Sequence, residues 1–180
     1  MVTASGQSSR LAKHREPLFW AAMLALVTLS LALRLVGLAD KPLHHDEGVN
    51  GWLSLRLYWW NLYRYQPSDY HGPLLFYANL VCFWLLGPSE VSLRLSSALS
   101  GGLLPFVLLP ARRFLGRAGV LLAGLFLAVS PGFVYFSRTG IHEIHLALFT
   151  SFWAVALARF AAELIFEGIE RTLVPAHLRE

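Results

Sequence analysis

An unbroken apolar run from Leu18 to Leu38, about 21 residues long, leaves this chain few ways to fold. As a helix rising 1.5 Å per residue it matches a hydrocarbon layer of about 30 Å. In lipid every backbone N–H and C=O needs a partner within the segment, so such a run must be helical. Four more apolar runs follow: Pro73–Leu86, Val91–Pro110, Ala118–Phe136 and Ile144–Phe166. Of 180 residues 56% are hydrophobic and 14% charged, against about 25% charged in soluble domains. The expectation is an all-α polytopic membrane protein with about four transmembrane helices. The first run is too long for the roughly 7–15-residue apolar region of a signal peptide. No small-residue cleavage site follows it; the chain continues Ala39-Asp40-Lys41-Pro42. It reads as a retained first span.

Basic residues set the expected orientation, because Lys and Arg favour cytoplasmic loops. The polar tail 1–17 carries Arg10, Lys13 and Arg15, and a second dense cluster lies at Arg112, Arg113 and Arg117. If both are inside, an even number of crossings separates them. Leu18–Leu38 and Val91–Pro110 supply two. Pro73–Leu86, about 14 residues, then does not cross, and lies along the outer surface or dips in and returns. The predicted spans are 18–38, 91–110, 118–136 and 144–166. The N-terminus is cytoplasmic, an outer loop covers 39–90, a short outer loop runs from about Ser137 to Glu143, and a cytoplasmic tail covers 168–180. A five-span arrangement would put Glu143 on the opposite side from Asp46.

The long loop is crowded with Trp52, Leu53, Leu55, Leu57, Tyr58, Trp59, Trp60, Leu62 and Tyr63. Aromatic residues favour the headgroup level, so an amphipathic helix in the interface is expected from Glu47 to Tyr65, broken by Gln66-Pro67-Ser68-Asp69. The formal charge of +4 is too small and dispersed to suggest nucleic acid, and the single Cys82 excludes a disulfide within the chain.

Two polar constellations stand out. His44-His45-Asp46-Glu47-Gly48 follows the first span, and Ser137-Arg138-Thr139-Gly140-Ile141-His142-Glu143-Ile144-His145 enters the last. The four-span topology brings both to the outer face, where two acids can hold a divalent cation or act as a base and its partner. Plainer readings stand beside these. Asp46 and Glu47 would cap the interfacial helix; Arg138 and Glu143 would form a structural ion pair; His145 would make a hydrogen bond between helices. Asp69 would be a turn residue, His44 and His45 would sit in water, and Arg34 would snorkel to the headgroups or bind a phosphate.

The order of these motifs resembles a known superfamily. Asp-Glu in the first outer loop, then His71-Gly72-Pro73-Leu74 opening a short helix, then Gly87-Pro88-Ser89-Glu90-Val91-Ser92-Leu93-Arg94-Leu95-Ser96-Ser97-Ala98-Leu99, is similar to the GT-C membrane glycosyltransferases. The likeness is greatest to the protein O-mannosyltransferase and aminoarabinose transferase branch, and within it to prokaryotic flippase-activity-associated glycosylation proteins. It runs from about Leu18 to Phe166. The resemblance implies a polyprenyl-phosphate-linked sugar donor, transfer on the outer face and juxtamembrane helices in the first outer loop. It implies Asp46 as catalytic base or metal ligand, followed by Glu47, with Glu143 as the second acid. Arg138, with His45, His142 and His71 around it, would meet the donor phosphate. A divalent metal would sit on Asp46 and Glu47. Members of the superfamily are several hundred residues long, so this chain corresponds to an N-terminal module that needs further spans or a partner subunit, and is expected to be inactive alone. Two other functions remain open: a non-enzymatic protein that binds or helps flip a polyprenyl lipid carrier, and a structural membrane subunit without a ligand.

Overall fold

The structure is a computed structural model that describes residues 4–64 and 72–173, with side chains placed for 16–64 and 72–169. The turn at Gln66–Asp69, His71 and the tail from residue 174 lie outside the described residues. Every regular element among the described residues is helical, and the chain is an all-α membrane protein.

Helix α1 (Ala4–Leu35) carries the first apolar run and packs on α4 and α5. Helix α2 (His45–Trp60) begins on a capping box, in which His44 Nδ1 accepts from the Asp46 amide and Glu47 Oε2 accepts from the His44 amide. It ends at Asn61, whose left-handed backbone (φ 51°) closes the last turn. The interfacial helix is thus present but stops short of the expected Tyr65, because Asn61 accepts a conformation that terminates it. Helix α3 (Leu74–Leu86) has 13 residues, about 20 Å of helix, which falls short of the hydrocarbon thickness. It lies against α2 and α4.

Helix α4 (Glu90–Gly102) continues as a 3-10 segment (Leu104–Ala111) into α5 (Arg112–Val129), then α6 (Pro131–Ser137). Three stretches are long and apolar enough to cross a membrane: Glu16–Leu35, Glu90–Val129 and Glu143–Ile169. The sequence reading counts four because Glu90–Val129 holds the expected span 91–110 and most of 118–136. This 40-residue stretch folds back on itself. Gly116 adopts φ 68°, ψ 176°, a backbone state that L residues avoid, within the basic cluster Arg112–Arg117. Beyond it the chain runs back along its own first half. A Cβ at Gly124 would stand 3.5 Å from Pro105, and one at Gly101 would stand 2.6 Å from Ser137 Cβ. Small residues allow helices to approach this closely in a membrane bundle.

The apolar core of the bundle joins Phe19, Met23, Leu26 and Val27 of α1 to Val120 and Ala128 of α5. A second cluster joins Leu57 of α2 to Phe76 and Leu80 of α3. Helix α7 (Glu143–Leu173) is different: only 11% of its most apolar window is buried, against 33% for α1. Its first turn is anchored by the buried Ile144, and Leu146, Phe149, Phe152, Trp153 and Leu157 then face outward.

Candidate functional site

The site forms where the segment 38–47 meets the segment 137–143, almost a hundred residues away in sequence. Glu47 and Arg94 lie at its centre, both fully buried. Helical phase explains the choice: Asp46 and Glu47 are about 100° apart around α2, so one faces outward and the other inward. Each Glu47 oxygen accepts two hydrogen bonds. Oε1 takes Arg94 Nε at 2.7 Å and the Gly140 amide at 2.8 Å. Oε2 takes Arg94 Nη2 at 3.0 Å and the His44 amide at 2.9 Å. Burial works to raise the Glu47 carboxyl, but the Arg94 guanidinium and the His44 and Gly140 amides outweigh it and hold the group below the ordinary carboxylate range.

Arg94 commits all five of its N–H groups. Besides Glu47 it donates to the carbonyls of Leu38 (2.9 Å), Lys41 (3.0 Å) and Pro42 (3.1 Å), and so fixes the backbone of the 38–42 turn. A chain of neutral hydrogen bonds extends the framework. Asn50 Nδ2 donates to the Gly140 carbonyl, Asn79 Nδ2 to Ser54 Oγ, and Ser96 Oγ to Asn79 Oδ1 at 2.6 Å. The second polar segment is therefore bonded to α2, and α2 through α3 to α4. These side chains are buried and mutually satisfied, as a low-dielectric interior requires.

The sequence-predicted residues fall into place unevenly. Asp46 is exposed at the start of α2, with His44 Nδ1 at 3.5 Å from its carboxylate. His45 is exposed beside it, and Glu143 is exposed in the first turn of α7. His142 stacks edge-on against Phe76 of α3, with ring centroids 5.4 Å apart. His71 lies outside the described residues. Arg138 gives three of its five N–H groups to carbonyls at the end of α1: Leu33 at 3.1 Å, Val36 at 2.5 Å and Gly37 at 2.6 Å.

Both Glu47 oxygens are taken up by Arg94 and two backbone amides, and the described residues hold no group of three or more His, Cys, Asp or Glu side chains placed to share an ion. The expectations for Arg34 and His145 are corrected. Arg34 does not snorkel: its side chain is fully buried, and it donates to Ser30, Ser137, Leu127 and Ala128. His145 is buried, and its ring nitrogens make no hydrogen bond to another helix.

Sequence reasoning missed Arg94 and Lys41. The signal for Arg94 was its place in a largely apolar helical run, where an arginine needs a partner in the bundle interior. Lys41 is half-buried, donates to Thr139 Oγ1 at 2.6 Å and sits 4.9 Å from the Tyr135 ring centroid. Its ammonium is held below the usual lysine range. Burial is the main cause, the nearby Arg94 and Arg138 add to it, and Glu47 opposes it. Lys41 thus stands among Arg94, Arg138 and the buried carboxylate of Glu47, and the exposed Asp40 beside it lies against Gly37, whose carbonyl Arg138 meets.

Beside the site, α2, the end of α3 and the start of α4 border a groove of about 530 Å³, lined by Trp52, Leu55, Trp59, Phe83, Glu90 and Leu93 among others.

A family model described as dolichyl-phosphate-mannose-protein mannosyltransferase matches residues 70–165, more than half of the chain. The match takes in Arg94, Arg138, His142 and Glu143 and begins after Asp46 and Glu47. No curated protein and no solved structure matches the chain.

Proposed function

The chain belongs to the dolichyl-phosphate-mannose-protein mannosyltransferase family, and from that premise we propose that it carries the catalytic residues of a membrane glycosyltransferase using a polyprenyl-phosphate-linked sugar on the outer face. The observation that carries this reading is the hydrogen-bonded junction of the two polar segments through Glu47, Arg94 and Gly140. In support of this reading, Asp46 and Glu143 are exposed on the two segments that this junction ties together.

Transfer from a lipid phosphate needs two things from the protein. The acceptor hydroxyl must lose a proton as it attacks, and the departing phosphate must be neutralised. Asp46, exposed and anchored at the first turn of a capped helix, is placed to act as the base, with Glu143 completing the acidic rim. A positioned base is worth about 10²–10⁴-fold. Lys41 and the uncommitted N–H groups of Arg138 would receive the donor phosphate, since preorganised cations in a water-poor site stabilise developing negative charge strongly. His45 and His142 stand on the same two segments and would supply further donors. Glu47 and Arg94 hold this arrangement in place without touching substrate. The apolar groove beside α2 suits the first part of a hydrocarbon chain.

The test is sugar transfer from polyprenyl-phosphate mannose in membranes of cells that express the protein. Asp46→Asn is expected to lower the transfer rate about 100-fold or more and to leave the amount of folded protein unchanged. An unaltered rate would remove Asp46 from the chemistry. Unaltered donor binding without any transfer in the parent protein would favour a lipid-carrier binding role instead.

A further inference from the structure

Helix α5 ends at a fault that the chain itself creates. Pro131 has no N–H, so the carbonyl of Leu127 loses the partner it would have four residues on. A residue before proline is also driven out of the helical region, and Ser130 stands at φ −57°, ψ 122°. Ser130 N still reaches Phe126, but the last carbonyls of α5 are cut off from the amides of α6. In a membrane protein with little water nearby, such carbonyls are costly.

Arg34, from the last turn of α1, supplies the missing donors. It is fully buried, and no carboxylate stands among its hydrogen-bond partners. Nη2 donates to the Leu127 carbonyl at 3.0 Å and Nη1 to Ala128 at 2.9 Å. Nη1 also meets Ser30 on its own helix, and Nε donates to Ser137 Oγ at 3.1 Å, at the far end of α6. One side chain thus grips both sides of the break. Arg138, one residue past α6, makes the reciprocal contact. It donates to the carbonyls of Leu33, in the last turn of α1, and of Val36 and Gly37 just beyond it, the Gly37 carbonyl also accepting from the Asp40 amide.

We propose that Arg34 is a positioning residue, a strut that replaces the donors lost at Pro131 and sets α6, and with it the 137–143 segment, at the angle the site requires. The bend comes from proline and the arginine makes it tolerable, so the two residues are coupled. Arg34 touches no substrate. Its bearing on transfer rests on the function proposed above; the coupling itself does not, and it is measured without activity.

The experiment uses the full purified chain in detergent, with Cys82→Ala and a reporter Ile141→Cys. Ile141 is 8% exposed and belongs to the segment at stake. Thermal unfolding and the rate of maleimide labelling are followed for Arg34→Met, Pro131→Ala and the double variant. Arg34→Met should lower Tm by roughly 5 °C or more and speed labelling. Pro131→Ala restores an N–H for Leu127 and lets α5 and α6 run on as one helix. The double variant should therefore recover most of the lost Tm, while the reporter thiol stays reactive because α6 has left its angle. If Arg34→Met alone does not fold, recovery of folded protein in the double variant gives the same answer. Additive losses in the double variant, or slow labelling of the reporter thiol in both Arg34→Met and the double variant, would overturn the proposal.

Discussion

The two ends of the bundle use the same residue types to opposite effect. Near α2, Glu47 and Arg94 pair with no exposed surface, every N–H and carboxylate lone pair matched. At the other end Glu16 pairs with Arg112 and Arg117, but all three side chains are between a quarter and half exposed. Arg112 also lies over the Phe19 ring, 4.4 Å from its centroid. An ion pair in contact with water exchanges one set of hydrogen bonds for another and contributes little. A pair sealed from water binds its surroundings into a single unit, since removing either partner strands a charge. Pairing alone, then, does not tell the two ends of this molecule apart; complete desolvation with backbone partners does.

The largest effect should come from breaking the sealed pair. Arg94→Ala leaves Glu47 buried without a cation and frees the carbonyls of Leu38, Lys41 and Pro42. A loss of about 3–5 kcal/mol is expected, read as a sharp fall in Tm or in recovery of monodisperse protein. Acid should expose the same linkage. The Glu47 carboxyl is held below its ordinary value of 4.5, so its contribution is complete above that pH and is lost as pH falls through the lower value of the folded protein. Glu47→Gln should flatten this acid limb of the stability profile. A Tm for Arg94→Ala equal to that of Arg112→Ala would erase the contrast between the two ends.

Next in size, Lys41→Gln should raise the KM for polyprenyl-phosphate sugar by about tenfold, close to 1.4 kcal/mol of binding, with a smaller change in kcat. A change confined to kcat would place Lys41 away from the donor's ground state. Smaller again is Ser89→Ala at the start of α4. Ser89 Oγ accepts from the Ser92 amide in a reciprocal cap, and its loss should cost about 1 kcal/mol. The smallest effect belongs to the exposed end. Glu16→Gln should leave Tm unchanged, and a large fall there would show that the turn at Arg112–Arg117 matters more than its exposure suggests.

Much of this architecture was legible in the sequence because apolar run length and aromatic crowding obey simple physics. A run of about 21 apolar residues must be a helix in lipid, and the tryptophan-rich stretch after Asp46 had to find an interface. The pairing of the two polar segments was reached from charge bias alone, and the structure bonds Gly140 to Glu47 and Asn50. What stayed hidden were choices made by tertiary contact. Nothing in the dipeptide Asp46-Glu47 says which carboxylate turns inward; that depends on where Arg94 arrives from, 47 residues later. Arg34 read as a surface residue because its place near the end of a span fits snorkelling, whereas the orphan carbonyls that draw it inside belong to a break beyond residue 126. The fold-back at Gly116 was visible as a basic turn, yet its effect on helix continuity required the backbone.

The account stands on the two polar segments facing one compartment. Single cysteines at residues 46 and 143, in a Cys82→Ala background, can be labelled with a membrane-impermeant maleimide in sealed vesicles of known orientation. Both should react from the same side, the side opposite the Arg112–Arg117 turn. Reaction of the two from opposite sides would separate Asp46 from Glu143 by the whole bilayer and contradict the site described here.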